Sequence, residues 1–251
     1  GINWIAVNSG LTSLYVRAFT FSGTNIFAGT QFGVGGVFLS TNNGTNWTTV
    51  NNGLTNQWVL SLAVSGTNLF AGTGGSGVFL STNNGTSWNA VNNGLTNQSI
   101  IALSVSGSNL FAGTDGGVFL TTNNGSNWTA VNNGLTGEAL NIKALAVSPD
   151  FSGNNIFAGT DGGVFLSTNN GESWINKNQG FSTLLSVHSL LIANGYIFAG
   201  TRNKSVWRRQ LSEIIGIQNI STEIPSAYSL GQNYPNPFNA RTVIRFEVQK
   251  L

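Results

Sequence analysis

Cysteine and methionine are both missing from this chain. Without thiols there is no disulfide framework and no Cys-ligated zinc site. His188 is the single histidine, which excludes a His-rich metal centre and leaves a Ser-His-Asp triad only one place to form. Charge is equally scarce: Asp, Glu, Lys and Arg make up 7% of the 251 residues, against about 25% in an ordinary domain. The 10 cations and 8 anions give a net charge of +2, without the clustered Lys and Arg that nucleic acid requires. The one dense basic spot, Arg202, Lys204, Arg208 and Arg209, reads as a solvated strand end. Calcium loops of the Asp-x-Asn-x-Asn-Gly type are absent, and no metal or cofactor is expected. No apolar run approaches the roughly 18 residues that span a bilayer. No signal peptide is visible; the sequence starts without Met and in mid-repeat, so an earlier true N-terminus is expected.

What is abundant is Gly, 33 residues, within a 40% apolar composition. Low charge with this much apolar content argues for a packed core over disorder. One unit organises it. Gly77-Val78-Phe79-Leu80-Ser81-Thr82-Asn83-Asn84-Gly85-Thr86-Ser87-Trp88 is rewritten at 36–47, 117–128 and 163–174. Trp4, Trp47, Trp88, Trp128 and Trp174 follow one another at 43, 41, 40 and 46 residues, the period of β-propeller blades, about 40–45 residues. In the second repeat the strand-like runs are 59–64, 68–73, 78–82 and 87–91, separated by Gly, Asn, Ser and Thr turns.

The second and third runs, such as Leu69-Phe70-Ala71-Gly72 and Val78-Phe79-Leu80, are apolar on both faces, which requires a sheet covered on both sides. The Ala-Gly pairs at 28–29, 71–72, 112–113, 158–159 and 199–200 leave room for a large ring from the next sheet. No apolar stripe of helical period exists. The fold expected is all-β: a five-bladed propeller of four-stranded antiparallel blades over residues 1–211. Its segments are 1–13, 14–53, 54–94, 95–134, 135–180 and 181–211. The fifth repeat lacks a fourth strand and Trp4-Ile5-Ala6-Val7 is a fourth strand without a blade, so the N-terminal strand is expected to close the last blade. Residues 212–225 read as a linker, within which 214–217 has some strand character.

The repeated turn comprises Ser40, Asn42, Gly44 and Trp47; Ser81, Asn83, Gly85 and Trp88; Thr121, Asn123, Gly125 and Trp128; and Ser167, Asn169, Gly171 and Trp174. It resembles the Asp-box or BNR repeat, Ser-x-Asp-x-Gly-x-x-Trp, of sialidases, sortilin-like receptors and xyloglucanases, with Asn in the place of Asp. The resemblance implies a structural turn: a side-chain acceptor folds back on backbone N–H groups, Gly takes positive φ, and Trp packs over the hairpin.

A sialidase would need three converging arginines, a Tyr–Glu pair and an Asp, and the available Arg17, Arg202, Arg208 and Arg209 with Tyr15 and Tyr196 do not supply them. A two-carboxylate glycosidase needs a pair across a cleft. Asp115 and Asp161 occupy equivalent Thr-Asp-Gly-Gly turns on one rim, where Asp-Gly is first a turn pair and only secondarily a catalytic candidate. Trp58, at the start of a first strand, is a strand-end aromatic or a sugar platform.

The tail Tyr228-x-Leu-x-Gln232-Asn233-Tyr234-Pro235-Asn236-Pro237-Phe238-Asn239, with Thr242-x-Ile244-x-Phe246 after it, resembles the beginning of the C-terminal sorting domain of the type IX (Por) secretion system. Over residues 226–251 this implies export to the outside or outer-membrane surface of a Bacteroidetes-like bacterium, with the secretion machinery as partner. The function expected is a non-enzymatic, monomeric module presenting a ring face to a protein or glycan. The alternative is a glycoside hydrolase-like enzyme with its catalytic residues elsewhere.

Overall fold

The computed structural model describes residues 3–148, 155–215, 229–230 and 246–247. They fall in two compact units, Gly1–Ile215 and Gly216–Leu251. The first unit is all-β apart from two short helical turns. Its sheets are β1 (Val16–Ser22), β2 (Asn25–Thr30), β3 (Gly36–Ser40) and β4 (Thr48–Thr49); β5 (Val59–Ser65), β6 (Asn68–Thr73), β7 (Val78–Ser81) and β8 (Asn89–Ala90); β9 (Ala102–Ser106), β10 (Asn109–Thr114), β11 (Gly117–Thr121) and β12 (Thr129–Ala130); β13 (Ile142–Val147), β14 (Ile156–Thr160), β15 (Gly163–Ser167) and β16 (Ile175–Asn176); and β17 (Val187–Ala193), β18 (Tyr196–Thr201) and β19 (Val206–Gln210). Each is an antiparallel meander in chain order, which short polar turns enforce. In the second unit β20 (Ser229–Leu230) pairs antiparallel with β21 (Phe246–Glu247). The expected sorting run, residues 232–239, lies outside the described residues.

The first strands of consecutive sheets (β1, β5, β9, β13, β17) pack on one another, and the short fourth strands do not. The sheets therefore radiate from an axis lined by first strands, which is the propeller arrangement. In the first four sheets the second and third strands are buried on both faces, with Phe27, Phe70, Phe111 and Phe157 fully enclosed. Every core cluster between blades combines residues of two consecutive sheets, as Phe27, Val37, Val59, Leu62, Leu69 and Trp88 do.

The Ala-Gly pairs do make room for the next sheet, but an aliphatic side chain fills it, not a ring. A Cβ on Gly29, Gly72, Gly113 or Gly159 would lie 2.6 Å from Val59, 2.6 Å from Ile100, 2.5 Å from Ile142 and 2.9 Å from Val187 respectively. Val59, Ile142 and Val187 open the next blade's first strand and Ile100 lies just before one. β-Branched residues suit a strand, and their width sets how closely consecutive blades approach.

At the two ends of the series no closing strand pair is formed among the described residues. The fifth sheet has three strands, and residues 3–8 form none. Instead Val7 and Ser9 accept from the indole and backbone N–H of Trp47 at 2.8 Å each, so this segment sits against the first blade as the fourth strand of a preceding blade would. Among the described residues no core cluster joins the fifth blade to the first. The chain after β19 continues as a helix, α1 (Leu211–Ile215), whose Ile214 is buried in the last core cluster. The first compact unit reaches Ile215, and of the run 214–217, read as having some strand character, the described residues 214–215 are helical.

Candidate functional site

The repeated turn is built as its residue types dictate: in the second copy Ser81, Gly85 and Trp88 are buried while Asn83 and Asn84 are exposed. In the second copy Ser81 Oγ accepts from the Gly85 amide at 2.8 Å and donates to Asn83 Oδ1 at 2.9 Å. Asn83 Oδ1 also accepts from the Ser87 amide at 2.9 Å. Ser40, Thr121 and Ser167 with Asn42, Asn123 and Asn169 repeat these bonds. An amide can also donate: Asn83 and Asn169 Nδ2 bond Ser87 and Ser173 Oγ at 2.9 and 3.0 Å. Positive φ falls on two residues, Asn84 (54°) and Gly85 (82°) in this copy. Trp88 also clamps the previous blade, donating its indole to Val50 O at 2.7 Å and its amide to Asn52 O at 2.9 Å.

The β2–β3-type turns lie at the opposite edge of the blades. Here each turn is held from both sides. A buried Thr inside (Thr30, Thr73, Thr114, Thr160) donates to the carbonyl of a glycine that starts or precedes the third strand. An Asn outside (Asn51, Asn92, Asn132, Asn178) accepts from the third-strand Val amide at 2.7 Å. Sequence reading missed these Asn residues, although each recurs 14 positions after its Val. Such tight anchoring leaves the turn side chains to face outward on fixed backbone.

Two groups of side chains meet on this rim. The first is aromatic. Tyr15 and Phe32 pack edge-to-face at 5.3 Å, and Phe32 and Trp58 do the same at 5.3 Å. All three are exposed. Phe32 has φ 64°, strained for a bulky residue, and the longer turn of the first blade holds it there between rings of two blades. Asn56 fixes Trp58, accepting from its amide at 2.9 Å. Sequence reading singled out Trp58 but not its partners, since Tyr15, Phe32 and Trp58 are far apart in the chain; the extra length of residues 31–35 was the available signal.

The second group is polar. Lys143 Nζ lies 3.4 Å from Asp115 Oδ1 and 3.3 Å from Asp161 Oδ2, so the two equivalent turn carboxylates share one ammonium. Ser186 donates its hydroxyl proton to Asp161 Oδ1, and His188 Nε2 lies 2.9 Å from the same hydroxyl oxygen. With the serine proton committed to the carboxylate, His188 Nε2 must donate. The order is Asp–Ser–His, the reverse of a nucleophilic triad, in which His stands between the other two and accepts. Burial pushes Asp161 upward, but the Ser186 hydroxyl, Lys143 and His188 together outweigh it and hold the carboxyl below its usual 3.8. A general acid would need the opposite shift. A cleft of about 440 Å³ continues this group, lined by Glu138, Asn141, Asp161, Ser186, Arg202 and Lys204 among others. Arg208 is stacked over Tyr196 at 5.0 Å, and Arg209 bonds Gln179 at 3.2 Å. Among the described residues no cluster of three His, Asp or Glu side chains suits a metal ion, and no helix is long and apolar enough to cross a membrane.

No protein-family model and no characterised sequence matches the chain. Solved structures do match it. An ancestral GH74 enzyme aligns with TM-score 0.65 and 19% identity over 85% of this chain and 33% of its own. The GH74 xyloglucanase from Xanthomonas campestris aligns with TM-score 0.61 and 17% identity over 92% and 41%. The extracellular domain of a one-component system from B. thetaiotaomicron aligns with TM-score 0.61 and 18% identity over 77% and 27%. The chain spans well under half the length of each of these three. At these identities the likeness is one of fold, and it agrees with the all-β propeller derived above.

Proposed function

We propose that this chain is an extracellular, non-enzymatic propeller whose turn rim binds a glycan. The observation that carries this reading is an exposed aromatic row, Tyr15–Phe32–Trp58, on the same edge of the blades as a fixed polar group, Asp115–Lys143–Asp161–Ser186. Aromatic faces take the apolar faces of sugar rings, and pre-bonded charged groups take hydroxyls, so the two together suit an extended saccharide. The rim aromatics stand on anchored turns, so little ordering cost accompanies binding.

Catalysis is disfavoured by the same geometry. Both carboxylates sit on one ammonium, Asp161 stays ionised, and the serine proton is already given away. The sorting-domain resemblance of the tail supports delivery through type IX secretion. Mass spectrometry of protein recovered from the medium of its native host should then show residues 226–251 removed.

Affinity electrophoresis against a panel of soluble polysaccharides tests the binding reading, with reporter glycosides assayed on the same preparation. Retardation by at least one polysaccharide, weakened about tenfold or more by Trp58→Ala, is the expected result. Turnover abolished by Asp115→Asn or Asp161→Asn would instead assign the rim to a hydrolase. Retardation unchanged by Trp58→Ala would remove the aromatic row from the site.

A further inference from the structure

We infer that Asn52, Asn93 and Asn133 are sites of spontaneous deamidation in the folded protein, and that the repeated Ser-Thr-Asn-Asn-Gly turn shields its own asparagines from the same reaction. The observation is that one dipeptide, Asn-Gly, recurs in two settings, with its glycine amide sealed in one and open to water in the other. No enzyme is needed. The glycine amide loses its proton to hydroxide, and its nitrogen attacks the Asn Cγ. The Cγ–Nδ2 bond then breaks, ammonia leaves with a proton taken from water, and a succinimide remains. Water opens either carbonyl of that ring, so Asn and water become Asp or isoaspartate and ammonia. The structure controls the first step, because the attacking N–H must be unbonded and wet.

The chain has eight Asn-Gly pairs, and seven of them fall in two sets. Four close the repeated turn: Asn43–Gly44, Asn84–Gly85, Asn124–Gly125 and Asn170–Gly171. Their glycines are buried. Each glycine amide donates to the hydroxyl of its turn, Ser40, Ser81, Thr121 or Ser167, at 2.8–3.0 Å. A buried donor that already holds its acceptor gives up its proton slowly, so the nucleophile does not form. The eighth pair, Asn194–Gly195, lies in the β17–β18 hairpin and belongs to neither set.

The other three, Asn52–Gly53, Asn93–Gly94 and Asn133–Gly134, sit at the centre of tight turns. The amides of Leu54, Leu95 and Leu135 close these turns on the carbonyls of Asn51, Asn92 and Asn132 at 2.9–3.0 Å. Only the glycine has positive φ here, 83–93°, the pattern of a type II turn. Both residues of every pair are exposed, and among the described residues the Gly53, Gly94 and Gly134 amides have no hydrogen-bond acceptor. The same peptide bond is polarised from its other end. Trp88, Trp128 and Trp174 donate their amides to the carbonyls of Asn52, Asn93 and Asn133 at 2.8–2.9 Å. A hydrogen bond on the carbonyl oxygen draws charge from the nitrogen and makes its N–H more acidic. Asn93 Nδ2 is tethered to Asn127 Oδ1 at 3.1 Å, so this site should react after the other two.

The place of these three residues gives the reaction a structural effect. Isoaspartate routes the main chain through Cβ and Cγ and turns the former Asn carbonyl into a free carboxylate. At Asn52 that carbonyl is the one holding Trp88, so the change falls on the clamp between the first and second blades. Asn93 and Asn133 stand in the same relation to the next two junctions, through Trp128 and Trp174. Close-packed junctions do not absorb an added backbone atom by small adjustments. Each conversion also adds one negative charge to a chain whose net charge is +2. The first clamp supplies an internal control: Ser9–Gly10 stands where the others have Asn-Gly, and Ser9 O accepts from the Trp47 amide at 2.8 Å. Serine thus fits this place without the reactive side chain.

The test is peptide mapping by mass spectrometry of the full chain, held folded in mildly alkaline buffer at physiological temperature and, in parallel, in denaturant. In the folded sample, conversion at Asn52, Asn93 and Asn133 should outpace that at Asn43, Asn84, Asn124 and Asn170 by about tenfold or more. Denaturant should abolish the difference, since the dipeptide is the same. Aged wild type should carry isoaspartate and melt below fresh protein, whereas a chain with Asn52→Ser, Asn93→Ser and Asn133→Ser should keep its melting temperature on ageing. The rate comparison is read on wild type alone, so it stands whether or not the triple variant folds. Equal or faster conversion in the repeated turns of the folded protein overturns the proposal. So does intact Asn52, Asn93 and Asn133 in folded protein after the denatured sample has converted. Isoaspartate at these sites with no fall in melting temperature overturns the effect on the clamps.

Discussion

Ser81 Oγ is the hub of its turn, because one buried oxygen serves both the Gly85 amide and Asn83. Ser81→Ala strands that amide, and thermal denaturation should show a loss of about 1–3 kcal/mol. Asn83→Asp keeps every acceptor and exchanges only the Nδ2 donor to Ser87; at neutral pH its stability should stay within about 0.5 kcal/mol of wild type. Trp88→Phe retains a ring but removes the donor to Val50 O, and should cost about 1–3 kcal/mol. On the rim, Asp161 is held below 3.8 by groups it meets in the folded state. A depressed carboxyl stabilises the fold above its unfolded value, and that contribution disappears as pH falls through the folded one. The melting-temperature gap between wild type and Asp161→Asn should therefore narrow as pH drops from about 6 to about 3.

At the level of strands and turns, glycines with opposite surroundings offer a controlled comparison. A Cβ on Gly72 would meet Ile100 at 2.6 Å across a blade junction, whereas one on Gly66 would meet nothing within 4 Å despite φ of 60°. Gly72→Ala should cost about 1–3 kcal/mol from overpacking, and Gly66→Ala about 1 kcal/mol from backbone strain alone; denaturant midpoints would rank them. This pair also marks how far the sequence could be read. The meander and its period were legible because Trp spacing and doubly apolar runs such as 69–72 are local signals. That the Ala-Gly gap receives Ile100 or Val59 instead of a ring was not, since the partner belongs to the next repeat. The rim divides similarly. Asp115, Asp161 and Trp58 could be picked out as turn and strand-end residues. Lys143, Ser186, Phe32 and Tyr15, which give them their setting, are supplied by other blades and by an irregular turn with no periodic signature.

Across the whole molecule, protection should follow position in the series. β6, β10 and β14 are enclosed by a blade on either side, while among the described residues β1 and β17–β19 are packed by a neighbouring blade on one side. Amide hydrogen exchange should be slowest in the first set and fastest in the second, and the reverse order would contradict the junction energetics described here. The Trp clamp has one more consequence. Val50 O and Asn52 O stay without their indole and amide donors until Trp88 has arrived, 36 residues later by the numbering from Asn52. A chain emerging N-terminus first from a ribosome or a narrow pore thus seals each blade only when its successor comes out, so the growing tip always trails one unfinished unit.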